Sequence, residues 1–175
     1  MSSVFEKLNR KIEILDYDPA WIDKFEQEKQ VIVSGIDDLQ VMHFGSTSVK
    51  GMPAKPTIDI AVGYKNQAEQ SGLVKFLINL GYVHEPRLKE FMPDRDFFWK
   101  GTPTKHEFHI HLVSFNGETW NNFKSFKNLL SENPDAAKEY AKLKKSLVKK
   151  NDHDITAYVD GKLDLFHQLL EQSKK

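Results

Sequence analysis

Cysteine is absent from all 175 residues. Its absence excludes a disulfide framework and any thiolate metal site, and it fits a reducing compartment. Charge of one sign is not in excess either, since Lys plus Arg and Asp plus Glu number 25 each. No global field therefore draws the chain to nucleic acid or to an anionic membrane, and anion binding must come from local geometry. Long apolar runs are missing. None approaches the roughly 20 residues that span a bilayer, and the mixed charged and polar stretch Met1 to Lys11 has no apolar signal-peptide core. The default expectation is a soluble cytosolic protein without membrane contact. Repeats, low-complexity tracts and Pro/Gly-rich linkers are also lacking, so one domain over residues 1–175 is expected.

What remains is a normal globular balance of apolar and charged residues, and it is patterned. Ile12 to Leu15 reads as a short strand. Asp18-Pro19 follows as an N-cap with proline at the first helical position, and the next helix sets Ile22, Phe25, Ile32 and Ile36 near one face. A strand is expected at Gln40 to Phe44, ended by Gly45. The loop Gly45 to Pro56 leads to a strand over Thr57 to Val62, with Ile58, Ile60 and Val62 on one face and Thr57, Asp59 and Ala61 on the other. Asn66 and Glu69 resemble a capping box for a helix carrying Leu73, Phe76, Leu77 and Leu80, with Gly81 at its C-terminal stop. Strands near Arg95 to Lys100 and His106 to Val113 form a hairpin through Gly101 to Lys105. Helices follow at Trp120 to Leu130, after Asn133-Pro134, and from near Asp154. This order predicts an α+β fold with a mixed sheet packed with helices and a C-terminal helical segment.

Chemistry concentrates where the second strand ends. In His43-Phe44-Gly45-Ser46-Thr47-Ser48, the glycine permits close backbone approach, and successive N–H groups with the hydroxyls of Ser46, Thr47 and Ser48 can cradle phosphate oxygens. Lys55 adds a point charge. Asp59 can hold a hard cation such as Mg²⁺ that bridges those phosphates. The plainer reading is a polar turn followed by a strand with one outward carboxylate. Against it, a carboxylate between Ile58 and Ile60 runs counter to strand propensity, and it needs a partner or a metal if that face is covered.

The run His43 to Val49, then Gly51, then Ala54-Lys55-Pro56-Thr57-Ile58-Asp59-Ile60, resembles the signature of the GrpB-like family. Tyr17-Asp18-Pro19-Ala20-Trp21, Leu80-Gly81-Tyr82, Phe97-Phe98-Trp99-Lys100-Gly101, the pair His109 and His111, and Tyr158 with Gly161-Lys162 also match, so the resemblance spans nearly the whole chain. The family is similar to the nucleotidyltransferase superfamily with its polymerase-β-like fold. The resemblance thus implies a mixed sheet of the nucleotidyltransferase type, a nucleotide triphosphate as substrate and Mg²⁺ or another divalent metal as cofactor. Similar domains occur fused behind dephospho-CoA kinase.

The sequence departs from that pattern at one place. Active members of the superfamily pair two carboxylates one residue apart on the strand after the Gly-Ser loop and take a third from a later strand, holding two metals. Here Asp59 fits the first position and Ala61 stands at the second. The later strand offers Glu107, His109 and His111 on one face by alternation, with Phe108, Ile110 and Leu112 on the other. Glu107 is a candidate carboxylate. The histidines are candidate ligands of a transition metal or an acid–base pair, or side chains that only hydrogen-bond their neighbours.

His43 shares a face with Val41 as a cleft residue or a satisfied core histidine. Arg95 is placed to grip a phosphate or a carboxylate bidentately, or to pair with Asp94 or Asp96 in solvent. Tyr158, Lys162 and Phe166 share a helix face, from which Lys162 can reach the cleft, and Gly161 marks a close approach. Lys138 to Lys150 reads as an amphipathic helix with a solvated lysine face, which argues against nucleic acid.

Three readings follow. A nucleotidyltransferase-like enzyme would use Gly45, Ser46, Thr47, Lys55 and Lys162 for the nucleotide and Asp59, His109 and His111 for catalysis, toward an unknown hydroxyl acceptor. A non-catalytic nucleotide- or phosphate-binding or assembly module would have kept the fold and lost the second carboxylate. A transition-metal hydrolase would centre on Asp59, His109 and His111, with His43 beside them.

Overall fold

The structure, a computed structural model, describes residues 12–150 and 155–173. Asp154, read as the opening of the last helix, lies outside them. Helix α1 is Ala20–Val33, α2 Gln67–Asn79, α3 Glu118–Glu132, α4 Pro134–Lys150 and α5 Ile155–Ser173. The strands are β1 Gln40–Phe44, β2 Ile58–Tyr64, β3 Val83–His84, β4 Asp96–Thr102 and β5 Lys105–Ser114.

The caps read from sequence are in place. Asp18 Oδ1 accepts the Ala20 N–H at 2.9 Å. Asn66 Oδ1 accepts from Glu69 N at 3.0 Å, while Glu69 reaches back to the Lys65 amide. Asn133 Oδ1 caps α4 by accepting from Asp135 and Ala136. These bonds satisfy amides that the first helical turn leaves without partners.

The five strands lie in the order β1-β2-β5-β4-β3. β2 and β5 run parallel and the other neighbouring pairs antiparallel. The expected α+β order with a mixed sheet is therefore observed. One face carries Ile58, Ile60, Val62, Phe98, Ile110 and Leu112 into a core closed by Trp21, Phe25 and Ile32 of α1 and Leu73 and Leu77 of α2. On the other face, Phe44, Ala61 and Val113 pack under Trp120 and Phe123 of α3. α4 and α5 form a further layer, where Phe126 and Leu130 of α3 meet Tyr140, Leu169 and Leu170, together with Val49 and Met52 of the Gly-Ser loop. The C-terminal helices thus cover the loop that carries the candidate chemistry.

Four details differ from the sequence reading. Ile12 to Leu15 forms no strand, only a single bridge from Leu15 to Ala54. Pro53 and Pro56 flank the bridge and lack the N–H groups that would extend it. The short β3 has too few residues to show alternation. On α1 the buried stripe is Trp21, Phe25, Glu28 and Ile32, with Ile22 exposed. Glu28 is inside because it accepts the Tyr82 hydroxyl and the Lys100 ammonium, both at 2.8 Å. Finally, a bulge between Lys100 and Gly101 breaks the simple alternation expected along β5.

The Glu28 knot ties α1 to β4 and to the turn after α2. Removing a buried acceptor from a charged donor and a buried hydroxyl costs more than a surface ion pair. Glu28→Ala is expected to lower unfolding free energy by about 2–4 kcal/mol, and Glu28→Gln, which keeps the tyrosine bond, by roughly half that. Urea denaturation of the three proteins measures both.

Candidate functional site

The site begins with a backbone constraint. Gly45 has φ 71° and ψ −173°, a combination that side chains exclude. Phe44 pairs with Asp59 across the β1–β2 ladder, and the Asp59 carboxylate lies directly over the glycine. A Cβ at position 45 would stand 2.7 Å from Asp59 Oδ2. The glycine is therefore what allows the turn and the acid to share one space.

The turn itself is a single 3₁₀ turn over Ser46–Ser48, closed by Ser48 N to Gly45 O and Val49 N to Ser46 O, both 3.2 Å. Its three hydroxyls diverge. Ser46 Oγ accepts from Lys144 Nζ at 2.7 Å. Ser48 Oγ donates back to Gly45 O. Thr47, expected among the phosphate contacts, is buried toward the α1 core, with its hydroxyl 2.9 Å from His43 Nε2. Period-2 pairing explains the split, because His43 faces Ile60 while Phe44 faces Asp59. His43 is accordingly a core histidine, stacked on Phe25 with centroids 4.6 Å apart. It lies across the sheet from Asp59 and belongs to no metal centre with it.

Asp59 is the second residue of β2 and pairs in parallel with His109. His109 Nδ1 is 3.3 Å from Asp59 Oδ1, and the aspartate side chain keeps 30% of its exposure. Burial pushes its pKa up, but the hydrogen bond and charge of His109, then Lys55 and His111, outweigh it and hold the carboxyl at about 2. The acid is thus an anion at any physiological pH.

The other ring nitrogen of His109 is also engaged, with His106 Nδ1 3.0 Å from Nε2. His106 stacks on Trp99, with centroids 4.1 Å apart and planes 5° apart. This arrangement results from the bulge. Lys100 pairs with Phe108 but Gly101 with His106, so the skipped residue is Glu107 and His106 swings onto the His109 face. Glu107, the candidate third carboxylate, is left exposed.

His111 stands beside Ala61 in the ladder. Its ring is boxed edge-on by Phe44, Phe97 and Phe123, and Arg95 approaches its Nδ1 at 3.4 Å. Burial first, and then Arg95, drives its pKa down to about 3. His111 is therefore a neutral, enclosed imidazole. Arg95 pairs with Asp94 through two bonds of 2.9 and 3.2 Å and lies over the Phe123 ring. Ala61 itself is fully buried among Phe44, Val113, Trp120 and Phe123. Among the described residues no group of three His, Asp or Glu side chains converges to hold a metal ion. Asp59, Glu107, His109 and His111, expected as metal ligands, do not meet as a set.

The positive charge around Asp59 is richer than the sequence reading allowed. Lys144, assigned there to a solvated face, is 1% exposed. Its ammonium donates to Ser46 Oγ and, at 2.5 Å, to Pro53 O, and it lies 4.9 Å from the Tyr140 ring. Burial foremost, then neighbouring Lys162, pulls its pKa down to about 7, against the Asp59 charge that supports it. Lys162 is half-buried over the Tyr158 ring at 4.5 Å, and its pKa is lowered by burial while Asp59 again raises it. The Tyr140-x-x-x-Lys144 spacing, ahead of Leu147 and Val148, puts Lys144 on the apolar stripe and is the signal that could have found it. Gly161 lets α5 close on α4, since a Cβ there would lie 2.5 Å from Leu147 Cδ2.

Acid should unfold this protein early. His43 is held at about 4 by burial first and Lys127 second, and His111 at about 3, both below the ordinary 6.5. Below pH 6.5 the unfolded chain takes up these protons and the folded one does not, so stability is full above pH 6.5 and falls toward pH 4. The buried His43 ring contributes on the order of 2–3 kcal/mol to that loss, and the half-buried His111 ring adds to it in the same direction. Denaturation midpoints at pH 7.5, 6, 5 and 4 measure it, and replacing His43 by Gln should flatten the decline.

The chain can be compared with known proteins on this geometry. The family model described as GrpB protein matches residues 11–172. The glutamate-rich protein GrpB of Alkalihalophilus pseudofirmus is 32% identical over 168 residues, covering 91% of this chain and 94% of that protein. The UPF0157 protein YqkA of Bacillus subtilis is 30% identical over 168 residues, covering 95% of this chain but 48% of YqkA. Among solved structures, the conserved protein GrpB from Enterococcus faecalis superposes with a TM-score of 0.78 at 28% identity, over 93% of this chain and all of that one. Cid1 in complex with a UTP analogue reaches a TM-score of 0.41 at 15% identity, over 81% of this chain and 44% of that one, too loose a likeness to bear on chemistry. The matched span, the identities and the shared fold make the assignment direct: the chain belongs to the GrpB family.

Proposed function

We propose that this domain is a nucleotide- or phosphate-binding module that retains one metal-competent carboxylate, and that it does not perform two-metal nucleotidyl transfer. The observation that carries the reading is the burial of Ala61. The position where a second carboxylate would stand has no ligand atom and is sealed by Phe44, Trp120 and Phe123. The turn after Gly45 with Ser46, Lys55, Lys144 and Lys162 then supplies the anion-binding side. Asp59 fits a Mg²⁺ ion only in company with phosphate oxygens and water, which is how Mg²⁺ is usually held at phosphate sites. When bound, that ion would neutralise phosphate charge.

The competing reading, transfer to an acceptor hydroxyl, draws on the Asp59–His109 contact and would use His109 as general base. Both ring nitrogens of His109 are engaged, by Asp59 and by His106. A base must present a lone pair to the acceptor's proton. The contact is better matched to fixing Asp59.

Calorimetric titration with ATP and UTP, with and without Mg²⁺, tests the proposal alongside an assay for pyrophosphate release. Binding strengthened by Mg²⁺, without pyrophosphate release, is expected. In Asp59→Asn the metal dependence should vanish while metal-free phosphate binding persists. Pyrophosphate release that depends on Asp59 would restore the transferase reading, and no heat at millimolar nucleotide would remove both.

A further inference from the structure

We infer that Ser46 and Lys144 form a nucleophile–base pair, giving the chain an acyl-transfer activity in which Ser46 Oγ attacks an activated acyl group. This goes beyond the phosphate-binding reading and shares only the turn with it.

The contact has the geometry such a pair needs. Lys144 Nζ stands 2.7 Å from Ser46 Oγ, within the reach that lets an amine take a hydroxyl proton. A third group orients the base, since Pro53 O accepts from the same nitrogen. The Tyr140 ring, 4.9 Å from Nζ, gives it an apolar wall. A neutral amine has two N–H bonds and one lone pair. With one N–H on Pro53 O, its lone pair can meet the Ser46 hydroxyl.

Burial decides which form of the lysine this place accommodates. Lys144 is 1% exposed, and among the described residues it forms an ion pair with no carboxylate. An ammonium taken out of water without a counter-charge is costly, and the amine is far less so. Burial foremost, then Lys162 of α5, outweigh Asp59 of β2 and, with Lys145 of the same helix, bring the Lys144 pKa down to about 7. Near neutral pH a substantial share of molecules therefore holds the base.

The nucleophile is presented to match. A sharp turn begins at Gly45, φ 71°, and Ser46 is half-buried where Thr47 and Ser48 are buried. A serine at a sharp strand-ending turn keeps its Oγ open to a substrate. Thr47 and Ser48 direct their hydroxyls to His43 and to Gly45 O, whereas the Ser46 hydroxyl meets Lys144.

The reaction needs only the acyl donor and water. Lys144 takes the Oγ proton as Oγ bonds to the acyl carbon. The bond to the leaving group breaks, and that group departs with the proton from Lys144. Water then gives a proton to Lys144 and its oxygen to the acyl carbon, and Ser46 Oγ leaves with that proton. A base of this modest strength calls for a good leaving group, as in an aryl ester or an acyl phosphate.

The experiment is labelling of the whole chain with a fluorophosphonate, which forms a P–O bond to an activated serine and releases fluoride. Intact mass and peptide mapping locate the adduct. One adduct on Ser46 is expected, with p-nitrophenyl acetate turned over at the same serine, and Ser46→Ala should abolish both. Lys144→Met should slow labelling about a hundredfold or more. Lys144→Arg, which keeps the charge but cannot lose its proton, should do the same, and Lys149→Met on the exposed face should change nothing. The wild-type rate should rise through about pH 7, where Lys144 loses its proton, a profile that a merely structural lysine would not give. That profile decides the question should the Lys144 variants fail to fold. No adduct, an adduct on another residue, undiminished labelling of Lys144→Arg, or a rate flat across neutral pH overturns the pair. Each of those outcomes leaves nucleotide titration, and with it the phosphate-binding reading, unaffected.

Discussion

A carboxylate set against a glycine that no other residue could replace is the constraint on which the rest of the site depends. Asp59 occupies the space a Cβ at Gly45 would need, so the acid and the strand-ending turn are placed together by the backbone rather than by a chance of side-chain rotamers. The parallel neighbour His109 then holds the carboxylate from the other side, and His106 on Trp99 holds His109. Each member fixes the next, and the chain of contacts ends in an anion that stays charged despite partial burial.

Around that anion the two layers of the protein divide the work. The sheet presents the turn, Asp59 and the imidazoles. The C-terminal helices bring Lys144 and Lys162, and they pack on the loop residues Val49 and Met52. The site is therefore incomplete without the helices, and its positive charge comes largely from outside the sheet. Two residues along β2 the surface turns apolar, and His111, beside Ala61, is enclosed by three aromatic rings. That apolar surround is the observation on which the proposal of a single metal-competent carboxylate rests.

Much of this was legible in the order of residues. The β1 boundaries, the hairpin, the asparagine caps and the alternation Ile58, Ile60, Val62 follow from short-range patterns that burial enforces. The approach of Asp59 to Gly45 was legible because a strand-ending glycine and a mid-strand carboxylate are both costly without a reason. Thr47 and Glu107 misled for one cause: neighbouring residues need not share a face when a tight turn or a bulge intervenes. Glu107 stayed outside because Gly101 admits the bulge, and His106 took its place. Lys144 was missed because a lysine on an amphipathic helix is ordinarily solvated. Only the loop packed above it, with Ser46 and Pro53 as acceptors, makes its burial tolerable.

The most direct measurement is a crystal structure of the protein soaked with Mn²⁺ and a non-hydrolysable nucleotide triphosphate, with the metal located by anomalous scattering. The account predicts a single metal at Asp59, phosphates on the Gly45–Ser46 turn, and Lys144 and Lys162 against their oxygens. Two metals, or a nucleotide bound away from Asp59 with that turn untouched, would contradict it.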